Sequence, residues 1–168
     1  NSAGTITGQI TSERYIANKG WHFTGTIFTG QTIADWNDDM QTQGPMPGVD
    51  VYNPGSNTSS IFEYDDAFTV NYLGEINGWK VPTSSSIEQG KGYRLNTPAN
   101  TKLDNTGTYS MNPSPINLQN SGSTPYSGWN LVMNPHLCPV TLAGLSFGPN
   151  VQSTVVIWNP AQNRYEYT

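Results

Sequence analysis

The 168-residue sequence predicts an all-β protein, an antiparallel β-sandwich of jelly-roll type with few or no helices. Three observations lead there. Apolar residues come in short alternating runs, separated by turn-forming stretches that draw on 17 Gly and 12 Pro. Charged residues make up only 11 %, less than half the usual share of about 25 %, so Thr, Ser, Asn and Gln must solvate the surface. The chain also echoes itself. Gly20-Trp21-His22-Phe23 returns as Gly128-Trp129-Asn130-Leu131, and residues 60–64 return as 154–158, with Tyr72 and Tyr165 following at similar distances. By length this is a single domain, 1–168, holding pseudo-repeats at about 15–95 and 125–168.

The elements follow in order. Residues 4–16 alternate around Ile6, Ile10 and Ile16 and read as one or two strands. Residues 21–28 read as a strand with Trp21, Phe23 and Ile27 on one face, Gly25 as the gap between them, and His22, Thr24 and Thr26 on the other. Thr32 with Asp35 three residues on predicts one helical turn. Residues 41–58 hold Gly44, Pro45, Pro47, Gly48, Pro54 and Gly55 and read as a long loop. Residues 60–64 read as a strand, Asp65-Asp66 as its turn and 68–73 as another strand. A short strand at 78–81 is stopped by Pro82. Residues 87–95 read as a Gly-rich turn feeding a strand, and 96–125 as polar chain with strand character at 106–111 and 116–118. The second copy stops before any equivalent of 87–95, so that repeat is incomplete. Trp21 and Trp129 are expected to anchor a shared core, with Tyr64 and Trp158 as their partners.

Several function classes fall away on charge and composition. Net charge is −5 and the seven basic residues are scattered, which disfavours nucleic acid. No apolar run is long enough to span a bilayer. Cys138 is alone, so no intramolecular disulfide forms. No signal-peptide pattern is present, so the chain reads as cytosolic, mature or an excised module, and the last is favoured. An uncharged polar surface suits an extracellular β-protein.

Six motifs, in this order, carry a family resemblance: residues 4–16 with Arg14-Tyr15-Ile16, Ala34-Asp35-Trp36-Asn37-Asp38-Asp39, residues 61–66, Gly90-Lys91-Gly92-Tyr93, Gly128-Trp129 through Asn134-Pro135, and residues 156–160. Together they resemble a β-rich module of large secreted and cell-surface proteins of the Bacteroidota. The resemblance implies export by type IX secretion and a role in adhesion, gliding or polymer handling, with no catalytic residues to carry over. Met133 departs from the Gly common at that position, and the closing Gly-hydrophobic-aromatic strand is absent.

The remaining chemistry rests on individual residues. His22 and His136 sit in no nucleophile motif, and no directing pattern marks a catalytic carboxylate pair, so the chain reads as non-enzymatic. Asp35, Asp38 and Asp39, oxygen donors beside a loop, are the candidate Ca²⁺ ligands. Trp36, Tyr52, Trp79, Tyr109 and Tyr126, at loops or strand ends, are the candidate ligand-binding aromatics for a polysaccharide or glycan. An open sheet edge would pair with a neighbouring domain or subunit. The expected function is a non-catalytic extracellular module for adhesion, structural display or assembly. The alternative is a carbohydrate-binding module attached to a polysaccharide-active enzyme.

Overall fold

A computed structural model describes residues 6–56, 58–69, 78–111, 115–122, 127–159, 162 and 164–167. The chain forms two compact units, Asn1–Leu137 and Cys138–Thr168. Among the described residues, helical structure is limited to two 3-10 turns, Ile33–Trp36 and Leu142–Gly144. The predicted all-β class holds, with antiparallel pairing in all but one sheet.

The spine of the first unit is a bent ribbon. Strand β1 (Gln9–Ile16) and strand β2 (Gly20–Thr24) lead the chain; β9 (Tyr93–Thr97) and β10 (Thr101–Thr108) return along them. Ile16 faces Thr101 and Gly20 faces Thr97, four residues further along in each strand, so the register is unbroken. The bend falls at residues 17–19 and 98–100, where the Asn100 N–H donates to the Ala17 carbonyl at 3.1 Å. Gly20 (φ 131°) and Asn100 (φ 59°) turn the corner, in backbone conformations that Gly and Asn adopt at the lowest cost. Beyond it, β10 alternates cleanly: Thr101, Leu103, Asn105 and Gly107 are buried and their neighbours are not.

Between these ends lie β3 (Gln31–Thr32), β4 (Gln43–Gly44), β5 (Val51–Tyr52), β6 (Ile61–Tyr64), β7 (Trp79–Lys80) and β8 (Ser86–Ile87). The four-stranded sheet runs in the order β2-β9-β6-β7. Ile61, Tyr93 and Leu95 from that sheet join Ile16 and Leu103 from the β1–β10 ribbon in one core. Ile33, Trp36, Met40, Met46 and Ile87 from the connections complete it. Two β layers over one core make the first unit a β-sandwich.

Local predictions fare well here. The helical turn forms at Ile33–Trp36, with the Thr32 N–H and hydroxyl donating to Asp35 Oδ2 at 2.6 and 2.9 Å. Strands stand at β6 and β7 as expected. Part of the strand expected at 68–73 lies outside the described residues. The expected loop at 41–58 is in fact folded: β4 and β5 pair in parallel, and fully buried Thr42 accepts the Val51 N–H on its carbonyl at 3.0 Å and the Asp50 N–H on its hydroxyl at 3.1 Å. Pro and Gly marked turns, but not the backbone pairs between them.

Trp21 and Trp129 are not core anchors. In the second unit, β11 (Val156–Asn159) pairs antiparallel with β12 (Arg164–Tyr167), and no described residue is buried. Trp129 is 44 % exposed, and Trp21 is half-buried on the outer side of its sheet. The core aromatics are instead Trp36 and Tyr93, with Phe28 and Phe62 buried outside that cluster. The physical reason lies downstream of Trp129. Residues 131–133 pair with 90–92, the Gly92 N–H donating to Leu131 O at 2.9 Å and the Met133 N–H to Gly90 O at 2.8 Å. The second Gly-Trp motif therefore lies against the first unit's own backbone, just ahead of β9, and its Trp lies outside the paired stretch.

Candidate functional site

Strand pairing sorts side chains onto faces. Trp21 faces Asn96, Phe23 and Phe62 both face Arg94, and Tyr64 faces Trp79. These residues therefore share the outer face of the four-stranded sheet, opposite Ile61, Tyr93 and Leu95. Phe23 and Trp79 start on the two edge strands, about 14 Å apart at three strand spacings. Their ring centroids nevertheless lie 5.9 Å apart at an interplanar angle of 15°, so both lean over the sheet centre. With Trp21 5.5 Å from Phe62, these rings account for the complete burial of Phe62 on an outer face. The Arg94 guanidinium lies 4.9 Å from the Trp21 ring and 5.3 Å from the Trp79 ring, two cation–π contacts of about 0.5–2 kcal/mol each.

At one end of this face an open groove of about 640 Å³ runs beside Trp21. Lys19, Gln41, Gln43, Asn96 and Thr97 line it with Trp21. Its backbone is clamped across three segments. The Asn96 N–H donates to Ser60 O at 2.8 Å, the Ser60 N–H to Gln43 O at 2.9 Å, and the Gln43 N–H to Ser60 Oγ at 2.9 Å.

The inner edge of the sheet carries a different chemistry. Lys91 Nζ lies 2.7 Å from Glu63 Oε2 and 3.2 Å from Glu88 Oε1, and Lys80 Nζ lies 3.2 Å from Asp65 Oδ2. Burial pulls the Lys91 ammonium down, but the hydrogen bond and charge of Glu63, with Tyr93 and Glu88, outweigh it and hold the group above its ordinary range. The carboxylates here are matched by ammonium groups, an ion network rather than an acid–base pair.

The sequence-predicted residues scatter. Trp36 is a core residue at 0 % exposure, its indole N–H donating to Asn105 Oδ1 at 3.0 Å, so it is no surface platform. Tyr52 is exposed on β5. Trp79 belongs to the outer-face cluster. Tyr109 is half-buried and its hydroxyl oxygen accepts the Leu137 N–H at 3.4 Å. Tyr126 lies outside the described residues. With Trp36 buried, the four described aromatics are not gathered at one surface. Nor do the three Asp residues converge: Asp35 is taken up by Thr32, Asp38 is exposed, and Asp39 accepts the Asp104 N–H at 2.6 Å. Burial, reinforced by the charges of Asp104 and Asp38, holds the Asp39 carboxyl above its usual range despite that hydrogen bond. Among the described residues, no group of three His, Cys, Asp or Glu side chains is placed to hold a metal ion. Asp35 starts the helical turn and Asp39 is engaged by a backbone hydrogen bond. The histidines lie apart: His22 Nε2 is 2.9 Å from Asn18 O, and the His136 N–H donates to Asn134 Oδ1.

Asp66 does more than end a strand. Its buried carboxylate accepts the N–H groups of Gly128 and Ser121, each at 2.8 Å, which hold it below the usual carboxylate range. It thereby fixes the start of the second Gly-Trp motif. Sequence reasoning missed both this role and the Trp21 groove. The only signal for the groove was the strand alternation, which set Trp21 and Phe23 on one face without saying which side of the sheet that face occupies. No family model, no curated protein and no solved structure matches the chain.

Proposed function

We propose that the chain is a non-catalytic module of a secreted or surface-exposed bacterial protein, serving structural display and assembly, with the type IX export that the family resemblance implies. One observation carries the assembly role. The second unit has a two-stranded sheet and no buried residue among those described, yet it exposes Val140, Leu142, Leu145, Phe147, Ile157, Tyr165 and Tyr167. A two-stranded hairpin by itself is marginal in water. The β11–β12 register sets Val156, Trp158, Tyr165 and Tyr167 on one face, and Ile157, Asn159, Arg164 and Glu166 on the other. The partner that fits is an edge strand of a neighbouring module, laid along the hairpin with apolar side chains toward that aromatic face.

Light scattering on the chain from micromolar to millimolar concentration tests this. The expected result is a mass that rises above the monomer with concentration, and a monomer throughout for Tyr165→Lys/Tyr167→Lys. A wild-type chain that stays monomeric over the whole range refutes the assembly role.

A further inference from the structure

We infer that the groove beside Trp21 in the first unit is a saccharide-binding site, a function separate from the assembly face of the second unit. A pyranose ring presents an apolar C–H face and a rim of hydroxyls. A site for it needs an aromatic face that is held still and, around that face, groups able both to donate and to accept. Trp21 supplies the first. Its indole is half-buried and braced by the Arg94 guanidinium at 4.9 Å and by Phe62 at 5.5 Å, so little ordering remains for a ligand to impose.

Gln41, Gln43 and Asn96 supply the second. Each carboxamide offers two N–H donors and an acceptor oxygen, which suits hydroxyls that donate and accept at once. All three residues are exposed, and none of their side chains hydrogen-bonds to a described residue. The backbone of Gln43 and Asn96 is pinned to Ser60, so the spacing of these two is set before any ligand arrives.

The volume of about 640 Å³ falls within the span of small-ligand pockets, roughly 300–1,000 Å³. The lining argues against other ligands. Lys19 is the one cation in the groove, too little for a phosphate backbone on a chain of net charge −5. Three carboxamides around one indole are too polar for a lipid or an aromatic ligand. The ligand class that remains is a neutral hexose or pentose polymer, one ring stacked on Trp21 and its hydroxyls reaching Gln41, Gln43 and Asn96.

Affinity gel electrophoresis of the full chain in laminarin, xylan and hydroxyethyl cellulose tests this. Retardation by at least one polymer is expected. The Gln43→Ala/Asn96→Ala variant is expected to bind that polymer at least tenfold more weakly with an unchanged melting transition, because both side chains are exposed. Trp21→Ala is expected to lose retention, but it also disturbs Phe62 and Arg94, so the amide variant is the deciding one. Unchanged migration in all three polymers overturns the inference. So does retention that survives in Gln43→Ala/Asn96→Ala. Retention lost instead on Tyr165→Lys/Tyr167→Lys places binding in the second unit and overturns it as well.

Discussion

Two matching stretches, residues 60–64 and 154–158, end in different environments. In the first unit β6 lies between β9 and β7, both of its edges paired, and Ile61 is fully buried. In the second unit β11 has one partner among the described residues, and Val155 and Val156, which match Ile61 and Phe62, are only half-buried. Strand-forming sequence is present in both. The difference is the number of strands available to cover it: a ribbon folded over a four-stranded sheet closes a core, whereas a lone hairpin cannot. A sequence echo therefore reports strand propensity and says nothing of whether the second copy acquires an interior.

The largest expected effect sets the two regions directly against each other. Trp36→Ala removes the biggest buried side chain and strands Asn105, and is expected to cost about 3–5 kcal/mol in urea unfolding. Trp158→Ala, on a half-buried hairpin position, is expected to cost less than about 1 kcal/mol. Equal losses would erase the distinction between the units. Gly25→Ala asks whether the second Gly-Trp motif is integral to the first unit. Its new Cβ would meet Lys91 O at 2.5 Å and Met133 Sδ at 2.7 Å, so the pairing of 131–133 with 90–92 must shift. A loss of roughly 1–3 kcal/mol is expected, and a neutral effect would show that this pairing contributes nothing.

The smallest effects come from two carboxylates with opposite shifts. Asp66 is held below its ordinary range by the Gly128 and Ser121 N–H groups. Its contribution is fully present above the unfolded value of about 3.9 and is lost as pH falls through the lower folded value. Asp66→Asn is expected to cost about 1–2 kcal/mol at pH 7 and to flatten the acid limb of the stability curve. Asp39 is shifted the other way by burial, so its ionised form opposes folding at neutral pH and that cost fades as pH falls through its raised folded value. Asp39→Asn keeps an acceptor for Asp104 and is expected to be neutral or stabilising at pH 7, within about 0.5 kcal/mol. Thermal melts from pH 3 to 7 check both; identical curves for the two variants would contradict the opposed electrostatics.

The parts legible in the sequence were the local ones. The Thr32–Asp35 pairing needs one turn of helical backbone and nothing else, and the stop after β7 needs only the missing N–H of Pro82. The candidate site was much less legible. Trp36 and Trp21 sit in equally plausible surroundings, yet Trp36 packs into the core and Trp21 faces out beside a groove. Gln41 and Gln43 belong to a stretch that reads as loop, and they meet Asn96 only because Ser60 bridges the two backbones. The Asp residues chosen as metal ligands were neighbours in sequence, whereas the carboxylate that organises a loop, Asp66, bonds groups 55 and 62 residues away.

The sequence by itself determined that the chain is built of short strands and tight turns, because alternation and Gly/Pro placement act over a few residues of backbone. Only the tertiary structure decided which strands close a core, which Trp is inside, and where three amides gather around an indole. Those outcomes depend on which backbone edges find partners, a competition among distant segments that no local pattern encodes.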